Sequence, residues 1–223
     1  MKWVVVPTAS NGIPEVSGRQ VNLTVVIAAY NEAANIGPLT SRLIATLDRM
    51  NATRWRLIYV IEGEDGTLET ARDFAASRPE ITILYNAKPS GLGNAFKRGF
   101  AAVPKDTDIV VTMDADLNHQ PEEIPRLVRV MERCRVDIVI GSRKVSGSTV
   151  EHAPVWKTRV SDVVNRCMRW LMRTGIHDQT SGFRAYRYSA LQSLSFRNAG
   201  FAFLPEMLLR ARALGLKMRE EPI

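Results

Sequence analysis

The chain has 223 residues, enough for one large α/β domain with a proper core and a little short for two independent ones. With 45% hydrophobic and 24% charged residues, its composition is that of a globular protein and excludes a disordered or fibrous chain. The net charge of +7 points to an anionic partner: nucleic acid, a phosphorylated substrate or an acidic membrane surface.

Residues 1–20 read as a loose N-terminal segment, with Gly, Pro and Ser spread over 7–20. The apolar run "WVVV" stops at Pro7, short of a signal-peptide core. Residues 21–223 read as the domain. "LTVVIAA" (23–29) has the continuous apolar character of a buried strand, and "YNEAANIGPLTSRLIATLDRM" (30–50) that of an amphipathic helix. The alternation continues with "RLIYVIE" as strand, "TLETARDFAASR" as helix, "ITILYN" as strand and "GLGNAFKRGFAAV" as helix. "DIVVTM", the helix "EEIPRLVRVMERC" and "DIVIGS" follow. Strands rich in Val, Ile and Leu alternating with helices predict an α/β fold with a mostly parallel central sheet and helices on both faces. Further on come a basic segment (155–175), a loop "IHDQTSGFRAY" (176–186) and a last helix near "FLPEMLLRARALG". No stretch approaches the 18 or so uninterrupted apolar residues of a membrane span, so a soluble or peripheral protein made in the cytoplasm is expected.

In parallel sheets ligands bind beyond the C-terminal strand ends. Here those ends read Tyr30, Asn31 and Glu32; Glu62, Gly63 and Asp65; Lys88 to Gly93; Asp114 and Asp116; and Ser142 and Arg143. Asp114 and Asp116, one residue apart, are either a pair of turn-forming residues or a site for a divalent cation such as Mg²⁺ or Mn²⁺. Asn118, His119 and Gln120 add ligand-capable side chains to the same loop. "KPSGLGNAFKRG" lacks the residues of a Walker loop or a dinucleotide fingerprint. It is either a phosphate cradle at a helix N-terminus or a solvated face.

Residues 141–176 hold seven basic residues against two acidic ones, most of the protein's excess charge. Within them Trp156, Val160, Val163, Val164, Cys167 and Leu171 recur at helical spacing. That suits a basic amphipathic helix on a membrane, and equally a core-packed helix with a solvated basic face. Few aromatics and no binding module argue against nucleic acid. Cys134 and Cys167 read as reduced thiols. His119, His152 and His177 lack partners at triad or metal spacing, and no nucleophile elbow is present.

Taken in order, "VVIAAYNEAANI", "IEGEDGT", "GLGNAFKRG", "MDADLNHQPEEIP", "GSR" and "DQTSGFRAYRYSAL" make the chain resemble the family 2 glycosyltransferases of the GT-A fold, and within them the dolichol (polyprenol) phosphate mannosyltransferases. The resemblance implies transfer of mannose from GDP-mannose to a polyprenyl (dolichyl) phosphate, with inversion. Asp114, Asp116 and Asn118 would form the metal site. Ala28, Tyr30, Glu32, Glu62, Lys88, Gly91, Leu92, Asp114 and Ala115 would surround the nucleotide. Arg143, Lys157, Arg159 and Ser161 would meet the acceptor phosphate and lipid, while Asp178 and Gln179 would meet the sugar. Asp114, Asp116 and Arg143 would carry the chemistry. At the second strand end Glu62 would serve where the family usually has an aspartate.

The family usually continues past "EEPI" into a segment with Arg and Lys that meets the diphosphate. The expectation is that Lys88 or Arg184 supplies those cations, or that the chain belongs to a longer protein. Membrane contact at the cytoplasmic face follows from the lipid acceptor, with attachment through a separate membrane subunit left open. Two rivals stand beside this reading: a UDP-sugar transferase (glucose or aminosugar) acting on a polyprenol phosphate, and a non-catalytic nucleotide-sugar or lipid-binding homologue. An acceptor that was a sugar hydroxyl would need a carboxylate base, for which Asp178 is the candidate.

Overall fold

The computed structural model describes residues 21–50, 53–145 and 175–223. Expectations for the 1–20 segment, for the amphipathic stretch 155–175 and for Lys157, Arg159 and Ser161 lie outside the described residues. The elements in chain order are β1 (Val21–Tyr30), α1 (Ala33–Arg49), β2 (Thr53–Glu62), α2 (Thr67–Ser77), β3 (Ile81–Asn86), α3 (Leu92–Ala101) and β4 (Ile109–Asp114). A 3-10 turn (Pro121–Glu123), α4 (Ile124–Cys134) and β5 (Ile138–Ser142) follow. After residue 174 come β6 (Arg184–Arg187), α5 (Tyr188–Ser193), α6 (Phe203–Ala213) and β7 (Met218–Pro222).

The seven strands are ordered β3-β2-β1-β4-β6-β5-β7. Pairs β1–β2, β1–β4, β2–β3 and β5–β7 are parallel, whereas β6 runs antiparallel to both β4 and β5. The mostly parallel sheet is as expected. β6 lies inside what reads from sequence as a loop, because four residues, "RAYR", are too short and too charged to carry a strand pattern. Their place is fixed by long-range pairing with Thr112 and Ile140.

Strand side chains alternate between the faces with a period of two, and both faces are covered. Val25, Ile27, Leu57, Tyr59, Val111 and Val139 pack with Ile36, Leu39 and Leu43 of α1 and Leu127 of α4. Val26, Ile58, Val60, Val110, Ile138 and Ile140 pack with Phe96 of α3 and Phe203 and Leu208 of α6. This two-sided core carries most of the stability, since burying one such side chain contributes about 1.5–3 kcal/mol. It also holds the C-terminal ends of β1, β2, β4 and β5 in a row, which is where the polar residues emerge.

Candidate active site

Adjacent strands place Ala28 of β1 beside Asp114 of β4, and Tyr30 beside Glu62 of β2. Just beyond these ends the backbone takes left-handed turns at two non-glycine residues, Asn31 (φ 55°) and Leu117 (φ 60°). For leucine that conformation costs roughly 1–2 kcal/mol. The loop carrying Asp116 is therefore held by its surroundings in a form its own sequence disfavours.

Asp114 is half-buried and Asp116 exposed. Burial first, and then the Asp116 charge, push the Asp114 carboxyl up to about 6, with Glu32 adding to the rise and Arg143 and Arg184 opposing it. Two further carboxylates and two guanidinium groups thus act electrostatically on Asp114. Asp116 accepts hydrogen bonds from the Asn118 backbone N–H (3.0 Å) and from its side-chain amide. Asn118, expected as a third metal ligand, turns its amide nitrogen onto Asp116 and orients that carboxylate. No cluster of three His, Cys, Asp or Glu suited to a metal exists among the described residues. The donors at hand are two neighbouring carboxylates with mutual repulsion. They fit a hard divalent cation that keeps its remaining positions for phosphate oxygens and water.

The second wall of the site is the segment 176–183. Gly182 lies against Asp114: a Cβ there would stand 2.7 Å from Asp114 Oδ2. Thr112 Oγ1 donates to the Gly182 carbonyl (2.7 Å) and Ser181 Oγ to the Gly141 carbonyl (2.7 Å), tying this segment to β4 and β5. Asp178 is only 2% exposed, and its Oδ2 accepts the Arg143 backbone N–H (3.2 Å). Gln179 is buried beside it. His119, also buried, stacks on Phe183 with 5.3 Å between ring centroids, and burial pushes its imidazole down to about 4. The ring is neutral near pH 7 and serves as a packing plate between the two loops.

Arg184 departs from expectation. It is 0% exposed, and its guanidinium donates to the carbonyls of Ser181 (2.8 Å), Gln179 (2.8 Å) and Leu204 (2.9 Å). It is a strut binding the 179–181 segment to α6, and its charge reaches Asp114 only through the protein interior.

Of the residues expected around a nucleotide, Tyr30 and Lys88 are exposed, Glu32 is half-buried, and Gly91 and Leu92 lie where α3 begins. Ala115 is buried between the two aspartates. Glu62, expected to reach a nucleobase, is 4% exposed. Its carboxylate accepts from Ser90 N–H (2.9 Å), Ser90 Oγ (2.5 Å) and the Arg98 guanidinium (2.6 Å), so it braces the 88–91 turn. The helix N-terminus read as a phosphate cradle is also taken. The Ala199 carbonyl accepts the Gly93 N–H at 2.7 Å and the Asn94 N–H at 3.4 Å. Gly91 has φ 94°, and a Cβ there would come within 2.5 Å of that carbonyl, so the glycine is required by protein packing. Asp65, a residue sequence reasoning left without a role, caps two elements. It accepts the Ala33 N–H (3.0 Å) at the start of α1 and the Thr67 N–H (3.1 Å) at the start of α2.

A model of glycosyl transferase family 2 matches residues 24–195. Among characterised proteins, the chain is 32% identical over 205 residues to the polyprenol monophosphomannose synthase of Mycolicibacterium smegmatis, covering 89% of this chain and 75% of that protein. It is 30% identical over 207 residues to the undecaprenyl-phosphate mannosyltransferase of Micrococcus luteus, covering 91% and 83%. It is 33% identical over 196 residues to the dolichol-phosphate mannosyltransferase of Pyrococcus furiosus, covering 86% of this chain and 53% of that one. Two solved structures show the same fold. The glucosyl-3-phosphoglycerate synthase of Mycobacterium tuberculosis, solved with Mn²⁺, UDP and phosphoglyceric acid, has a TM-score of 0.67 at 24% identity, covering 91% of this chain and 68% of that one. A mannosyltransferase of Pyrobaculum calidifontis solved with GDP-Man and Mn²⁺ has a TM-score of 0.61 at 17% identity, covering 91% and 55%. With strand order, paired aspartates and family model in agreement, the chain belongs to glycosyl transferase family 2 and is a glycosyltransferase of the GT-A fold.

Proposed function

We propose that this glycosyltransferase moves mannose from GDP-mannose to the phosphate of a polyprenol, with inversion at the sugar carbon. The observation that carries the reading is the setting of Asp114: it ends β4 beside Ala28 of β1, has Asp116 two residues on, and lies against Gly182 of the wall whose Asp178 holds the Arg143 backbone. An anionic leaving group and an anionic acceptor would both be met there, and the relatives named for polyprenyl-phosphate mannosyl transfer supply the substrate class.

Asp114 and Asp116 would hold Mg²⁺ or Mn²⁺, with Asn118 fixing Asp116. A cation bound there would neutralise the diphosphate as it departs. Ala28, Tyr30, Glu32, Lys88, Gly91, Leu92 and Ala115 line the nucleotide side, and Glu62 maintains it through Ser90 and Arg98. Arg143 positions the acceptor phosphate, while Asp178 and Gln179, expected at the sugar, are both buried and would back the wall of its site without touching it. A phosphate oxygen forms the new bond to the sugar carbon as the bond to the GDP oxygen breaks, and the electron pair leaves with GDP. No side chain has to remove a proton, because a phosphate monoester has its second pKa at about 6. Asp178, whose carboxylate already accepts the Arg143 N–H, is then a structural acid.

A polyprenol acceptor places the protein at a membrane surface, which we take to be the cytoplasmic face. Among the described residues no helix is long and apolar enough to cross a membrane.

The test is transfer of radiolabelled mannose from GDP-mannose to a polyprenyl phosphate in detergent with Mg²⁺ or Mn²⁺, beside UDP-glucose and a chelated control. Label should enter the lipid phase from GDP-mannose alone and vanish on chelation. Label from UDP-glucose would replace the sugar assignment, and none from either would overturn the activity.

A further inference from the structure

β7 is the last strand of the described chain and pairs along one edge with β5, in a register that sets Glu220 beside Ile140 and Pro222 beside Ser142. An edge strand of sequence "MREEP" has little apolar surface to bury, yet the side chain of Glu220 is only 8% exposed. Its two oxygens serve two successive backbone amides: Oε1 accepts the Asp178 N–H at 2.8 Å and Oε2 the His177 N–H at 2.8 Å. The His177 ring, through Nδ1, lies 2.8 Å from the same Oε2. The chain of contacts continues inward, since Asp178 accepts the Arg143 backbone N–H at 3.2 Å and Thr180 Oγ1 donates to Asp178 at 3.4 Å. From the other end, Ile223 N–H donates to the Ser142 carbonyl at 3.2 Å. One buried carboxylate thus grips the corner from which Asp178 fixes the main chain of Arg143.

We propose that Glu220 is a positioning residue for the acceptor side of the site, acting through Asp178 on Arg143. This rests on the reading of Arg143 as the acceptor-phosphate cation. Hydrogen bonds from backbone N–H groups to an ionised carboxylate are roughly twice as strong as neutral ones, so the corner has one defined geometry. Replacing Glu220 by Gln keeps the shape but turns an NH₂ donor toward one of the two amide donors. The His177–Asp178 corner must then rotate, and Asp178 with it. The side-chain hydrogen bonds of Asp116, Glu32 and Glu62 go to other partners, namely Asn118, Asn35, and Ser90 with Arg98. The neighbour Glu221 points elsewhere, to Arg126 at 2.8 Å, and gives a matched control on the same strand.

The experiment compares E220Q, E220D and E221Q with the unmodified protein, in steady-state kinetics and in amide hydrogen exchange. E220Q is expected to raise KM for polyprenyl phosphate about tenfold, a change of about 1.4 kcal/mol, with KM for GDP-mannose within about twofold. E220D, which keeps the charge on a shorter arm, is expected to fall between E220Q and the parent, and E221Q to match the parent. In exchange, E220Q should expose the amides of His177, Asp178 and Arg143 while those of β1 to β3 stay protected. Equal rises in both KM values, or unchanged protection of Arg143 in both Glu220 variants, would overturn the proposal. If the unmodified protein transfers nothing to polyprenyl phosphate, it is the proposed function that fails. The exchange of the Arg143 amide still decides whether Glu220 positions it.

Discussion

Two loops face each other across Asp114 and are built on opposite plans. The 114–120 loop exposes Asp116, Asn118 and Gln120, bends through a left-handed Leu117, and is tied internally by Asn118 on Asp116. The 176–183 segment hides Asp178, Gln179, Ser181 and the neighbouring Arg184, and spends their hydrogen bonds on backbone from β5 and α6 and on the Glu220 carboxylate of β7. The first plan keeps charge available to solvent and substrate. The second makes a rigid wall against which that charge is held. Damage to the first should cost rate and leave the fold, whereas damage to the second should cost both.

The largest expected effect separates them at once. Asp116→Ala removes an exposed carboxylate whose hydrogen bonds go to the exposed Asn118, so thermal stability should stay within about 2 °C in circular dichroism, as for surface substitutions generally. Transfer should fall by about a thousandfold, equivalent to the several kcal/mol that charge neutralisation of a leaving diphosphate supplies. A rate within tenfold of the parent would remove Asp116 from the chemistry. Arg184→Met is the counterpart on the rigid wall. It strands the carbonyls of Ser181, Gln179 and Leu204, each costing about 1–3 kcal/mol when buried without a partner. The expected loss is at least about 3 kcal/mol by chemical denaturation, with a melting point about 6–12 °C lower. A variant as stable as the parent would mean the strut is dispensable.

The same contrast explains which features the sequence discloses. The exposed loop was legible: Asp114 and Asp116 follow an unbroken apolar strand, and such a run ends at the sheet's C-terminal edge whatever the details of packing. The core strands and α1 to α4 were legible for the same reason, since periodicity is local. The rigid wall was not. Arg184, in a polar stretch, reads as a surface cation for phosphate until β6 pairs with Thr112 and carries it inside. Glu220 is 42 residues from the Asp178 amide it holds, and no local pattern reports a contact of that range. Gly91 and Gly93 read as either a phosphate cradle or part of a solvated face, because glycine records only that something comes close. Here the visitors are backbone carbonyls, that of Ala199 at Gly91 and that of Asn198 at Gly93. Glu62 was placed at the correct strand end, but its partners Ser90 and Arg98 are reached only through the fold.

Glu62 allows an intermediate test, since from a buried position it braces the 88–91 turn, on the proposed nucleotide side. Glu62→Gln removes the charge opposite Arg98, whose guanidinium side chain is 35% exposed. Part of the ion pair's strength is therefore screened by solvent, and the stability loss should be about 1–2 kcal/mol. The expected kinetic signature is a rise of roughly five- to tenfold in KM for the nucleotide sugar, with KM for the lipid acceptor unchanged, measured at saturating co-substrate. That is the mirror image of the Glu220 variants. If the two variants shifted the same KM, the division of the site into two sides would be wrong.

Gly182→Ala gives the smallest effect and the finest test, because it brings the wall one carbon closer to the exposed loop. The added Cβ would lie 2.7 Å from Asp114 Oδ2 and 3.0 Å from Oδ1, too close for either oxygen to remain in place. The Asp114 side chain is half-buried and can swing toward solvent more cheaply than the 176–183 segment can retreat, since Thr112 Oγ1 and the Arg184 strut hold that backbone on either side. Stability should therefore fall by no more than about 1 kcal/mol, the order of a typical point substitution. The carboxylate, displaced by several tenths of an ångström, should lose about three- to tenfold in rate, because catalytic groups act only within a narrow range of geometry. The loss should appear as a weaker response to Mn²⁺ or Mg²⁺, measured as the metal concentration giving half-maximal transfer, with both substrate KM values unchanged. A large drop in melting point with an unaltered metal response would show the opposite compliance, a wall that yields and an aspartate that does not.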